Sequence, residues 1–153
     1  VRTEATHNGI AGRLIDGLYV EAMVLADEAR SYFDRGGLED REAMSPADRV
    51  AFSCESLKVT TRLMHVVSWL LLRRAADAGE LRPAELQQPA RRLGDASDTD
   101  SEALAAMPER ARLIIEASCD LYQRIKRLDD EMMRNAPVTS PARSLLDRLE
   151  RSL

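Results

Sequence analysis

The sequence predicts an all-α protein, an antiparallel three-helix bundle. Two observations carry this: composition and the long helical periodicity between Arg49 and Glu80. Aromatic residues make up 4% of the 153 residues and charged residues 31%, with Ala, Leu and Arg abundant, which favours helix over sheet. From Arg49 to Glu80, apolar residues recur in alternating steps of three and four. One stripe runs Val50, Cys54, Leu57, Thr61, Met64, Ser68, Leu71, Ala75, Ala78; a second runs Phe52, Val59, Leu63, Val66, Leu70. A helix covering a single core needs one stripe, so two stripes predict a neighbour on each side. Those neighbours are other helices of the chain, a second copy, or both.

The elements follow in order. Residues 1–12 are polar, contain glycine and lack periodicity, and read as a loose lead-in to a helical domain over 13–135, with 136–153 as a C-terminal tail. The first helix spans about Arg13 to Asp34, marked by Ile15, Leu18, Ala22, Leu25, Ala29 and Tyr32, and Gly36-Gly37 stops it by a left-handed turn. Leu38 to Met44 is a charged connection. Ser45-Pro46-Ala47-Asp48 opens the second helix, with Ser45 as cap, Pro46 at the first helical position and Asp48 at the positive end of the dipole; Gly79 closes it. Leu81 to Asp100 holds Pro83 and Pro89, with one helical turn from Pro83 to Leu86, and reads as mobile over 95–100. Thr99-Asp100-Ser101-Glu102 has the form of a capping box, yet Pro108 sets the start of the third helix, which Asn135 and Pro137 end. Ser140-Pro141 caps a tail carrying Leu145, Leu146, Leu149 and Leu153 on one side. A stripe on so short a segment is no stable helix alone, so the tail docks on its own bundle, docks on a partner, or stays disordered.

Several functions are disfavoured. Net charge is −4 and basic residues are interspersed with acidic ones, which argues against nucleic-acid binding. The apolar-rich run Leu63 to Leu72 is far too short to cross a bilayer, and no secretory leader opens the sequence as it stands. Cys54 and Cys119 sit on apolar positions and read as buried free thiols of a cytoplasmic protein. Glu4-Ala5-Thr6-His7 has di-iron spacing but lacks the second copy and extra carboxylates such a site needs. Asp95, Asp98, Asp100 and Glu102 form an acidic cluster without the glycine and glutamate of a calcium loop. No nucleophile, metal or phosphate-loop constellation is present, so the expectation is a non-enzyme with no cofactor.

What remains is interaction. Glu55, Lys58, Arg62, His65, Trp69 and Arg73 form a polar seam on the second helix. It reads either as a solvated face, with Glu55 and Lys58 paired across one turn, or as a partner-docking face. Under the second reading Lys58, Arg62, Trp69 and Arg73 join Leu145, Leu146, Leu149 and Leu153 as partner-binding residues. The second apolar stripe, Phe52, Val59, Leu63, Val66 and Leu70, is the expected seam of a homodimer, because its large side chains exceed what two neighbouring helices cover.

The block Cys54-Glu55-Ser56-Leu57-Lys58-Val59-Thr60-Thr61-Arg62-Leu63-Met64, with Ser68-Trp69-Leu70-Leu71, Ala78-Gly79-Glu80 and the later patch Leu121-Tyr122-Gln123-Arg124-Ile125 before Arg127-Leu128-Asp129, resembles the RcdA family, regulators of CtrA degradation. The resemblance spans about Leu14 to Asp129 and is dense in the second helix. It implies an alphaproteobacterial dimeric three-helix bundle. The role it implies is a cytoplasmic, non-enzymatic adaptor assisting the AAA+ protease ClpXP in degrading cell-cycle regulators, with the protease complex and response regulators as partners. The competing expectation is a structural or scaffolding dimer without a protease link.

Overall fold

The computed structural model describes residues 2–135, with side chains from residue 9 onward, and helical backbone at Ala142, Leu145, Leu146, Arg148 and Leu149. Helix α1 spans Arg2–Ser31 and runs into a π-turn at Tyr32–Gly36. Then come the short α2 (Leu38–Glu42), the long α3 (Pro46–Asp77), a crossover containing 3₁₀ turns at Pro83–Gln87 and Pro89–Arg91, the short α4 (Ser101–Ala105), and α5 (Glu109–Arg134). No strand occurs among the described residues; the protein is all-α. Helices α1, α3 and α5 each pack on the other two.

Local chemistry explains most boundaries. The Ser45 hydroxyl accepts the Asp48 N–H at 3.2 Å and Pro46 takes the first position of α3, as the sequence predicts. Gly79, at φ 77°, turns the chain away at the other end. The 32 residues between make a rod of roughly 48 Å at the standard rise. Asp100 caps α4 by accepting the Ala103 N–H at 2.7 Å, and α5 starts one residue after Pro108.

Other boundaries differ from expectation. Helix α1 begins at Arg2 where a loose lead-in was expected, since no proline interrupts residues 2–12 and an interior glycine costs only about 1 kcal/mol. Gly37 ends the first helical segment at φ −89°, without a left-handed turn. Its role is clearance: an added Cβ would lie 2.9 Å from the Tyr32 carbonyl oxygen and 3.2 Å from its ring. Tyr32, Phe33 and Phe52 stack edge-on or tilted there, with centroids 5.1–6.1 Å apart, and close the turn between α1 and α3.

The antiparallel expectation holds for α1 against both long neighbours. Asp16 at the middle of α1 meets Arg74 near the end of α3, and Glu21 meets Arg124 of α5. Farther along, past the end of α1, Phe33 packs on Phe52 near the start of α3 and Tyr32 lies under Arg110 near the start of α5. Helices α3 and α5, however, run in the same direction: Arg62 pairs with Ser118 and Trp69 with Asp129. A parallel pair needs a connection that travels the length of the bundle, and residues 78–108 provide it.

The core corrects the assignment of the two stripes. Phe52, Val59, Leu63, Val66 and Leu70, expected as a dimer seam, are at most 4% exposed and pack against α1 and α5 of their own chain. Two neighbouring helices and the crossover cover a wider arc of α3 than the sequence reading allowed. Between them lie Glu55, Arg62 and Trp69, equally buried, so the true inward face runs Phe52, Glu55, Val59, Arg62, Val66, Trp69 in steps of three and four. The first stripe points outward. Val50, Leu57, Met64 and Leu71 are 65%, 68%, 58% and 46% exposed. Both cysteines are free, but Cys54 lies on this outward stripe and is exposed, against expectation; Cys119 is half-buried.

Candidate functional site

The polar residues of α3 do not form a solvated or docking face. They form the floor on which the crossover lies. The Arg62 Nε and Nη2 atoms donate to the Ser97 carbonyl at 3.1 and 2.7 Å, Nη2 also reaches the Thr99 hydroxyl at 2.7 Å, and Nη1 reaches Ser118 at 3.2 Å. Thr99 in turn donates to Glu55 at 2.5 Å, and the other Glu55 oxygen accepts from Lys58 at 2.9 Å, the one-turn pair expected from sequence. Residues 95–100 are thus tethered at Ser97 and Thr99, where the sequence reading expected a mobile loop.

A second knot closes the far end. Asp129 accepts the Trp69 indole N–H at 2.9 Å, Arg92 Nε at 3.1 Å and the Leu93 N–H at 3.3 Å, with Arg73 at 3.7 Å. Burial pulls the Arg73 pKa below its ordinary value against the opposing pull of Asp129 and Asp77. At Arg92 desolvation pulls the same way, but Asp129 and Asp130 outweigh it and the value rises. Between the knots, Tyr122 donates to the Gly94 carbonyl at 2.8 Å, and Gly94 sits so close to His65 that an added Cβ would lie 2.3 Å from the ring. Of the expected partner-binding residues on α3, Arg62, Trp69 and Arg73 are therefore internal braces, because a buried guanidinium or indole N–H must find acceptors inside the fold. Lys58 keeps about a third of its side chain exposed. The signal for this floor was present in the sequence: Glu55, Arg62 and Trp69 stand seven residues apart, each one helical step from a member of the buried stripe.

The surface features available to other molecules lie elsewhere. An apolar groove of about 410 Å³ runs between α1 and α3, lined by Met23, Ala26, Phe33, Leu63, Met64 and Val67, with Arg30 and Asp34 at its edge. The outward stripe of α3 borders it. Leu145, Leu146 and Leu149 are more than half exposed on helical backbone; Leu153 and the Ser140-Pro141 cap lie outside the described residues. Among the described residues no cluster of three His, Cys, Asp or Glu is placed to hold a metal ion, and no helix is long and apolar enough to cross a membrane. His7 and Glu4 lie among residues whose side chains are not described.

Fold and surface together define a braced helical bundle whose exposed apolar side chains concentrate on α3, α1 and the tail, the profile of a protein-interaction module. Residues 6–153 match the family described as "Protein of unknown function (DUF1465)", and the chain belongs to that family, an RcdA-like one. It is similar to the crystal structure of RcdA from Caulobacter crescentus CB15, with 31% sequence identity and a TM-score of 0.64 over 78% of this chain and 90% of that one. None of the curated proteins matches.

Proposed function

We propose that this chain is a non-enzymatic adaptor that assists a AAA+ protease, ClpXP, in degrading cell-cycle regulatory proteins of an alphaproteobacterial cytoplasm, and that it works as a homodimer. The observation that carries the reading is the likeness to RcdA, which combines a shared fold with 31% identity across most of both chains. The surface agrees in kind. Apolar side chains exposed along α3 and in the tail suit protein partners better than small molecules, and net charge −4 disfavours nucleic acid.

The test is a reconstituted degradation assay with purified chain, ClpXP and a response-regulator substrate. Substrate loss should accelerate several-fold when the chain is added and return to the basal rate when it is omitted. An unchanged rate across a panel of response regulators, with no capture of ClpX by the immobilised chain, overturns the adaptor reading and leaves a scaffolding role without a protease link.

A further inference from the structure

We infer that the outward face of α3 is the seam through which two copies of this chain pair, and that the two α3 helices pair antiparallel. The inference rests on the dimer reading above and adds its geometry. From Val50 to Ala75 the outward positions alternate strictly between large and small: Val50, Leu57, Met64 and Leu71 recur every seven residues, and Cys54, Thr61, Ser68 and Ala75 recur every seven residues between them. Seven-residue spacing keeps both sets on one seam along the whole helix. No charge falls at any of the eight positions, in a chain of which 31% of residues are charged. The four large side chains together expose on the order of 400 Å², the size of the largest apolar patch on a typical monomer, which is often a functional one.

The alternation decides the direction. In a parallel pair each layer would set like on like: Leu57 on the partner's Leu57, then Thr61 on the partner's Thr61, so that crowded layers alternate with empty ones. In an antiparallel pair, about a two-fold axis level with the turn between Thr61 and Met64, every layer sets one large side chain against one small one. Val50 faces the partner's Ala75, Cys54 the partner's Leu71, Leu57 the partner's Ser68, and Thr61 the partner's Met64. Volume is then nearly constant from layer to layer, which is what close packing requires. The two helix dipoles also oppose, bringing the N-terminal end of each α3 beside the C-terminal end of the other. The occupant of this face is therefore a second copy: a helix unrelated in sequence would have no reason to match the alternation in register, whereas the face matches itself.

Site-directed crosslinking tests the geometry, with Cys119→Ser removing the other thiol. In that background Leu71→Cys should give a disulfide-linked dimer as the main product of mild oxidation, joining Cys54 to the new thiol of the other copy, while the background protein with Cys54 alone should stay uncrosslinked. Exchanging sizes within one layer gives a second readout. Leu57→Ser and Ser68→Leu should each shift the mass in light scattering toward monomer, and the double variant should restore the dimer. A crosslinked dimer through Cys54 alone overturns the antiparallel pairing. A dimeric mass with no crosslink in either protein moves the seam off this face and leaves the dimer reading standing. A monomeric mass for the wild-type chain at micromolar concentration sinks both.

Discussion

Arg62 shows how a single side chain can outrank its composition class. An arginine at 1% exposure on a helix is costly unless its donors are matched, and here they meet Ser97, Thr99 and Ser118. Arg62→Ala should lower unfolding free energy by about 2–4 kcal/mol in urea titration, since it leaves a buried carbonyl and two hydroxyls short of partners. A loss under 1 kcal/mol would mean that solvent already reaches the network. Tyr32 carries a pH dependence. Burial, reinforced by its 2.7 Å hydrogen bond to Asp40, raises its pKa from the ordinary 10.0. A raised acid pKa means that the folded state holds the proton more tightly, so this contribution is complete below pH 10 and is lost as pH rises through the folded value. Tyr32→Phe should therefore show a shallower loss of stability above pH 10 than the wild type in circular-dichroism melts, and parallel slopes would remove Tyr32 as the cause.

At the scale of elements, the crossover decides how the bundle is wired. It lies along α3 and α5 because Asp129 anchors Arg92 and Leu93 at one end while Arg62 and Glu55 anchor Ser97 and Thr99 at the other. Asp129→Ala strands the Trp69 and Leu93 N–H groups and two arginines together, and should cost about 3–5 kcal/mol with faster amide exchange at Leu93. Gly94→Ala acts on the same strap by volume: the methyl must displace the His65 ring, at about 1–3 kcal/mol for a forced repacking. Exchange confined to residues 92–100 would show the strap lifting while α1, α3 and α5 stay protected.

For the whole molecule, the proposed pairing puts folding and association on opposite faces of α3. Val66→Glu puts a carboxylate at a fully buried position and should unfold the chain, with loss of the cooperative melt. Met64→Glu, on the outward stripe, should leave the melting temperature within a few degrees and, under the proposed pairing, shift the mass in light scattering to monomer. The tail separates in the same way. Leu145, Leu146 and Leu149 are more exposed than any core residue, so deleting residues 140–153 should preserve the melt while abolishing ClpX or substrate capture. A large fall in melting temperature would instead assign the leucines to the bundle.

That the chain is helical, and where α3 starts and stops, is legible from local residues alone, because caps, prolines and glycines act on a few neighbouring residues and can be read where they stand. Ser45-Pro46, Gly79, Pro108 and Asn135 all fall where the structure has helix boundaries. The family is legible in the sequence too, through a dense block on α3. Which face of α3 turns inward depends on contacts with α1, α5 and the crossover. Apolar content favoured the stripe from Val50 to Leu71 about as well as the stripe from Phe52 to Leu70, and Glu55 and Arg62 disguised the inward face as a polar seam. Their charges are tolerated there because Ser97, Thr99 and Ser118, between 35 and 56 residues away, supply partners that no local pattern announces. The parallel course of α3 and α5 was hidden for the same reason. It depends on hydrogen bonds between residues distant in the chain, and periodicity along one helix carries no record of what lies across from it.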